Sequence, residues 1–321
     1  MKTNLFLIAN GKLQLQLEPL ELTGLLRESQ VECWVEIAEA SPADLEKFLT
    51  GLEMHPLMRD RCLDQVISPG VISYGPAILV EYPAAFNRAD AEPAYLTILL
   101  RSPFLITIRH GSMPMLDELT RELTKGDGPE IRHLAQVLYL ILDEFTDQNV
   151  DAQVEIRDQL LEMAKTLAES PGKFDNRNLA NLRWQVENLV SMVENQLYCI
   201  SGLAASDLEI LKEPHRNAYI QDLQAEAEIA QRSVYRLENR VNDLYNDFQM
   251  VGSDRVEKRL RLLTIVSAIT LPLGLIAGLL GMNVGGVPGI NNPAGFLIVM
   301  IIMVIVVVAL FVYFKQKGWF D

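Results

Sequence analysis

The residues with the most chemical promise close an apolar run near the C-terminus. Gly281-Met282-Asn283 opens a turn, residues 281–289, that is rich in Gly and carries no charge. Upstream, Thr264, Ser267, Leu271, Gly274 and Gly278 follow one another at steps of three or four residues. On a helix that spacing makes one small or polar stripe, which permits close helix approach or a narrow wet lumen. Several copies of the turn would form a ring of Asn carboxamides and backbone carbonyls. Such a neutral oxygen lining suits a hydrated divalent cation, which sheds its water reluctantly. The same Gly-Met-Asn also serves as an ordinary helix cap and turn, and residue types alone leave both readings open.

Two apolar spans must position that turn. Leu262–Leu280 has 19 residues and Gly295–Phe314 has 20, without one charged residue or His between Leu262 and Phe314. Each is about 30 Å of helix, enough to cross a bilayer core. Both lie far from the N-terminus, so neither is a signal peptide. The second span, rich in Ile, Val and Met, has no small-residue stripe and reads as lipid-facing. One chain has too few helices to enclose a lumen, so a pore requires an oligomer of first spans inside and second spans outside.

The flanks set the orientation. Arg255, Lys258, Arg259 and Arg261 precede the first span, Lys315 and Lys317 follow the second, and the turn between has no positive charge. The positive-inside rule places both termini in the cytoplasm and the turn outside.

A long helix feeds the first span. Its apolar positions are Ile220, Leu223, Ala227, Ala230, Val234, Leu237, Val241, Leu244, Phe248 and Val251, an unbroken heptad seam. The seam predicts self-association along a coiled-coil-like stripe. Packing against its own domain is the competing reading, and Gly252-Ser253 is a candidate weak point. If the helix is continuous from Pro214 to Leu280, it has 67 residues, on the order of 100 Å.

Upstream the texture is mixed. Strands are expected at 5–8, 13–17, 31–37, 78–82, 95–100 and 104–109, and a helix from Pro42 behind a Ser41 N-cap. Two long helices follow, about 130–170 and 178–211, separated by Pro171-Gly172. Asp143, Glu144, Asp147, Asp151, Glu155 and Asp158 line the first as an acidic face, either simply solvated or weakly holding cations. The expected organisation is an acidic cytoplasmic α/β domain with a helical hairpin (1–213), a stalk helix (214–261), a first transmembrane helix (262–281), an outer loop (282–294), a second transmembrane helix (295–314) and a basic tail (315–321). The fold class is predominantly α.

Charge and motif content exclude several functions. The chain carries −14, and residues 254–321 hold six Lys/Arg against three Asp/Glu, leaving about −17 for residues 1–253. An acidic domain of that size repels nucleic acid and anionic lipid and attracts cations. There is no Walker loop, Gly-rich dinucleotide fingerprint or zinc-protease helix, so neither an enzyme nor an ATP-driven pump is indicated. His55, His110, His133 and His215 are scattered, which favours structural roles. Cys33, Cys62 and Cys199 have no paired spacing and are expected reduced.

The run Leu271-Pro272-Leu273-Gly274-Leu275-Ile276-Ala277-Gly278-Leu279-Leu280-Gly281-Met282-Asn283 resembles the end of the first membrane helix of CorA-type divalent metal ion transporters, whose hallmark is Gly-Met-Asn. The layout is similar over nearly the whole chain. Weaker echoes stand in Trp34-Val35-Glu36-Ile37, His55-Pro56-Leu57 and Phe104–Arg109. The resemblance implies a funnel-shaped homopentamer in a bacterial-type inner membrane, passing a partly hydrated ion. It has no covalently bound cofactor, and its partners are the bilayer and the transported cation: zinc, magnesium, cobalt or nickel. Carried over by position, Gly281, Met282 and Asn283 form the outer filter, with Asn283 meeting the ion. Leu260, Leu263 and Leu271 become hydrophobic gates, and Glu257, Thr264, Ser267, Gly274 and Gly278 line the pore.

Three departures concern selectivity. Leu280 stands where magnesium-type members commonly have an aromatic residue, Gly285-Gly286-Val287-Pro288-Gly289 replaces a loop that often carries an acid, and Glu257 stands near a position that is often Asn. The loop is similar to that of the zinc-transporting ZntB branch, and the choice between zinc and magnesium stays open. The alternative from another class is a membrane-anchored coiled-coil interaction protein without transport activity.

The topology is directly testable. A cysteine introduced by Gly286→Cys is expected to react with an impermeant thiol reagent in intact cells, and one introduced by Asp321→Cys is not. The reverse labelling pattern refutes the orientation.

Overall fold

A computed structural model describes residues 2–9, 11–16, 31–52, 54–64, 68–84, 94–125, 129–208, 211, 214–282 and 294–319. It comprises two compact units, Met1–Leu244 and Tyr245–Asp321. The first is built on a seven-stranded sheet. In chain order its strands are β1 (Lys2–Ala9), β2 (Lys12–Gln16), β3 (Cys33–Glu39), β4 (Gly70–Tyr74), β5 (Ala77–Pro83), β6 (Tyr95–Arg101) and β7 (Phe104–His110). The spatial order is β2-β1-β3-β7-β6-β5-β4. Among the described residues only β3 and β7 pair in parallel, with Val35 opposite Ile106; the other pairings are antiparallel.

The strands are apolar on both faces, with period two dividing them between two cores. Phe6, Trp34, Ile78, Val80, Tyr82, Leu96, Ile98, Leu100 and Leu105 enter one core. Leu5, Val35, Ile37, Leu79, Leu99, Ile106 and Ile108 enter the other, with helices α1 (Pro42–Gly51) and α2 (Pro56–Leu63). The larger core is covered by α3 (Pro114–Lys125), α4 (Leu134–Glu169), α5 (Asn176–Ala204) and the start of α6 (Pro214–Gly281).

One buried polar cluster pins sheet to helix. Glu36 on β3 is 1% exposed and is paired with Arg109 on β7, whose Nη1 also donates to Asp117 Oδ1 of α3 at 2.7 Å. Asn4 Nδ2 donates to the other Glu36 oxygen at 2.9 Å. A buried carboxylate persists only with such partners. Beside it Trp34 Nε1 donates to Thr107 Oγ1 at 2.9 Å.

The expected strands are present with ends displaced by up to three residues: the first starts at Lys2 rather than Leu5, and the one expected at 31–37 runs Cys33–Glu39. Leu17, at the end of the second, lies outside the described residues. Ser41 caps α1, its Oγ accepting from Asp44 N at 3.2 Å. Three elements were not expected: β4, α2 and α3. The first long helix starts at Leu134 rather than near Glu130, because Ile131 N donates to Gly11 O at 2.9 Å and Glu32 Oε2 accepts from Leu134 N at 2.6 Å. Gly11 is required there: its φ is +76°, and a Cβ would lie 2.6 Å from Glu130 Cγ. The second long helix stops at Ala204, short of the expected 211. Near its end Gly202 lies so close to β4 that a Cβ would sit 2.6 Å from Val71 Cγ2.

The heptad seam requires a correction. Ile220, Leu223, Ala227, Ala230, Val234, Leu237, Val241 and Leu244 are all buried within the single chain. Ile220, Leu223 and Ala227 belong to the larger core with residues of α4 and α5. Tyr139 of α4 donates to Asp222 Oδ2 of α6 at 3.1 Å, and Tyr235 of α6 donates to Glu194 of α5. The expectation of self-association along this stripe therefore fails over its first eight positions. Phe248 and Val251 are half-buried. A heptad stripe records that an apolar face needs cover, and here the chain's own helices supply it.

Charging the seam should therefore unfold the first unit rather than dissociate an oligomer. Val234 is 1% exposed. Val234→Asp removes its burial and adds an unpaired buried carboxylate, a loss of about 4 kcal/mol. Thermal unfolding of the detergent-solubilised chain checks this. An unchanged melting temperature together with loss of oligomer would contradict it.

Candidate transmembrane pathway

Helix α6 runs unbroken through Gly252, Ser253 and Pro272 to Gly281. A second apolar helix, α7 (Gly295–Gln316), follows. Both are long and apolar enough to cross a membrane, and almost none of either apolar stretch is buried. That separates them from the core helix of a soluble protein. Leu262, Leu263, Leu271, Leu275, Phe296, Leu297 and Ile305 are each at least 60% exposed. So dense an apolar surface needs lipid or another helix against it.

On α6, Glu257, Leu260, Thr264, Ser267, Leu271, Gly274, Gly278 and Gly281 follow one another at steps of three or four, with Leu263 beside Thr264. All of them, and Met282, are exposed in the protomer. A Cβ at Gly274, Gly278 or Gly281 would meet nothing within 4 Å. Glu257 is held at the head of the stripe by Arg261, whose Nη2 donates to Oε1 at 2.6 Å. Thr264 Oγ1 donates to Leu260 O at 2.8 Å, and Thr270 Oγ1 to Val266 O at 2.8 Å, so these hydroxyls are satisfied by their own helix. Pro272 has no N–H to offer the carbonyl of Ala268 one turn back. Ile265 and Phe314 are the buried apolar residues of this segment, and Phe314 also packs on Trp319 with ring centroids 5.1 Å apart. Asn283 and the rest of the turn, 283–293, lie outside the described residues.

The other expected residues have structural surroundings. His55 caps α2, its Nδ1 accepting from Leu57 N at 3.3 Å, and its ring stacks on Tyr74. His110 lies within 3.0 Å of Thr97 Oγ1, and burial lowers its pKa. His133 precedes α4 at its N-cap, while the side chain of His215 lies outside the described set. The three cysteines are buried free thiols, each pushed up to about 12 by burial. Among the described residues no three His, Cys, Asp or Glu side chains form a group that could hold a metal ion.

The acidic face of α4 is not simply solvated. Asp143 and Glu144 are half-buried. Asp143 meets Glu226 of α6, with Asp147 and Asp222 close by. Burial, a hydrogen bond to Asp143 and repulsion from the neighbouring carboxylates push Glu226 up to about 7. Asp143 is raised too, chiefly by burial. The two carboxyls therefore share a proton, with Glu226 donating. The acidic row on α4 is legible in the sequence, but its meeting with α6 is not. Its only trace was the four-residue spacing of Asp143–Asp147 and of Asp222–Glu226, which reveals nothing until the two helices are known to pack together.

This pair makes stability pH-dependent. The folded pKa of Glu226 lies above the ordinary carboxylate value, so the folded chain keeps a proton that the unfolded chain releases. Its destabilising charge accumulates as pH rises from 4.5 to about 7. Glu226→Gln cannot ionise, so it should raise the melting temperature by about 2 °C near pH ~8, with the gain vanishing towards pH ~5. A gain independent of pH would refute the shared proton.

The fold and the paired apolar helices define a membrane protein with a large soluble unit. Residues 29–316 match the family of the CorA-like Mg2+ transporter protein. YfjQ of Bacillus subtilis (strain 168) is 23% identical over 294 residues, covering 90% of each chain. The zinc transport protein ZntB of Yersinia enterocolitica is 23% identical over 295 residues, covering 89% of this chain and 88% of its own. Among solved structures, the complete CorA magnesium transporter from Methanocaldococcus jannaschii superposes with a TM-score of 0.82 at 18% identity, over 99% of both chains. The chain belongs to the CorA-like family of divalent metal ion transporters, and it is an ion transporter rather than an enzyme.

Proposed function

We propose that this chain assembles as a homo-oligomer, a pentamer by family likeness, whose first spans line a pore for a partly hydrated divalent cation. The observation that carries this reading is the stripe on α6 from Glu257 to Gly281. It is exposed along its whole length, open at both span glycines, and aimed in sequence at Asn283. Small residues on that face let copies of α6 approach closely or leave a lumen between them. Leu260, Leu263 and Leu271 would be the dry constrictions, and Glu257 would offer a carboxylate at the inner end. Gly281, Met282 and Asn283 would form the outer filter, the carboxamide accepting from and donating to the ion's water shell. Having no charge, a ring of Asn recruits the ion without trapping it. Both termini would be cytoplasmic.

Zinc is the favoured ion. The uncharged residues 285–289 and Leu280 depart from the magnesium pattern, and a zinc transport protein stands among the relatives. Uptake of zinc, magnesium, cobalt and nickel into liposomes, with and without a pH gradient, identifies the ion and any proton coupling. The alternative of a membrane-anchored coiled-coil interaction protein accounts for the seam and the anchors, but the seam's first eight positions are buried inside the protomer.

Asn283→Ala is the decisive variant. It removes one hydrogen-bonding group per subunit at the filter, and uptake should fall by about tenfold or more. The oligomer should persist on size-exclusion chromatography. Asn283→Asp adds a negative charge per subunit and should tighten binding while slowing release. Unchanged uptake by Asn283→Ala returns Gly-Met-Asn to a helix cap and turn.

A further inference from the structure

Helices α4 and α6 also bound a groove of about 330 Å³ in the first unit. Its apolar wall comes from Val150 and Val154 of α4 and Leu237 of α6. Its remaining lining is basic or hydrogen-bonding. Arg157 lies one turn after Gln153 on α4, and Arg236 and Arg240 lie one turn apart on α6 beyond Ser233. The steps of three and four residues put each set on one helix face.

Two observations mark the groove. The first is unbalanced positive charge. Residues 1–253 carry about −17, and several arginines elsewhere in the unit pair with carboxylates one turn away, as Arg232 does with Glu228 at 3.7 Å and Arg183 with Glu187 at 3.6 Å. Arg236 and Arg240 have no ion pair among the described residues, and Arg157 reaches only its chain neighbour Asp158, at 3.5 Å. The second is Gln153, which is 8% exposed and whose Nε2 is buried without a hydrogen-bond acceptor among the described residues. A buried N–H donor without an acceptor is uncommon, because its desolvation is not repaid. Three guanidiniums and an unclaimed amide donor ask for the same thing, a multi-oxygen anion.

We infer that this groove binds a nucleoside phosphate. The phosphate oxygens take the forks of Arg157, Arg236 and Arg240 and the Nε2–H of Gln153, and the nucleoside lies against Val150, Val154 and Leu237. A bare oxyanion would use the arginines and leave the apolar wall wet. The cavity volume falls at the lower end of the range for small-molecule sites. A bound ligand would tie α4 to α6, the helix that continues as the first span, and so adds a molecular input separate from the transported cation.

The test uses the full chain in detergent with a chelator present, so that no metal ion mediates binding and no ion flux is read. Adenosine triphosphate, inorganic phosphate and adenosine are titrated by calorimetry. Saturable binding of the triphosphate is expected, with inorganic phosphate weaker by about tenfold and adenosine weaker still. The double variant Arg236→Ala, Arg240→Ala changes two exposed side chains and should keep the unmodified melting temperature. It should weaken triphosphate binding by about tenfold or more. Gln153→Leu, close in shape, should weaken binding by a smaller factor. Absence of saturable triphosphate binding, or equal binding by the arginine variant, overturns the inference. So does an arginine variant that binds normally but dissociates on native mass spectrometry, because the guanidiniums would then serve a neighbouring subunit's carboxylates.

Discussion

One helix has to satisfy two solvents, and the rest of the architecture follows from how α6 does so. Over residues 220–244 its apolar stripe is buried within the protomer, its first three positions in the core shared with α4 and α5. Over residues 262–281 its apolar surface is exposed and needs lipid or a second copy. Backbone continuity through Gly252, Ser253 and Pro272 joins the two regimes without a loop. The soluble part supplies cover with the long antiparallel pair α4 and α5, whose own inner faces rest on the sheet. Without that cover the lower half of α6 would be a free amphipathic helix with nothing to fix its rotation.

The sheet is anchored to its helices by charge as much as by apolar packing. Glu36, Arg109, Asp117 and Asn4 link β3, β7, α3 and β1 through one buried carboxylate. Breaking such a group by removing one partner strands a charge in the core, which costs more than the pair contributes when intact. Two short motifs far apart in sequence, Trp34–Ile37 and Phe104–Arg109, lie side by side on the parallel pair β3 and β7, Glu36 paired with Arg109 and Trp34 hydrogen-bonded to Thr107.

What could be read from the chain was whatever solvent imposes on composition. Lipid tolerates no charge, so both spans were plain, and so was the continuity of α6. Period-two strands bounded by Gly and Pro were also visible. Partners were not. Gly70–Tyr74 is an edge strand of five residues behind a Pro-Gly pair, too short to show a period, and only its pairing with β5 makes it a strand. The helix Pro56–Leu63 mixes charged and apolar residues without a face. The heptad seam was visible, but a stripe does not say whose side chains fill it. The Asp143–Glu226 meeting and the arginine groove belong to the same class: each needs residues from two helices whose pairing no local pattern encodes.

Pro272 carries a consequence of its own. Inside the first span it withholds one N–H, so the carbonyl of Ala268 lacks its usual donor at a depth where lipid offers none. A carbonyl in that position is an open acceptor in an otherwise oily helix. The second span has no proline and no such seam in its hydrogen-bond ladder. The two spans thus differ in wettability through their backbones, quite apart from their side chains.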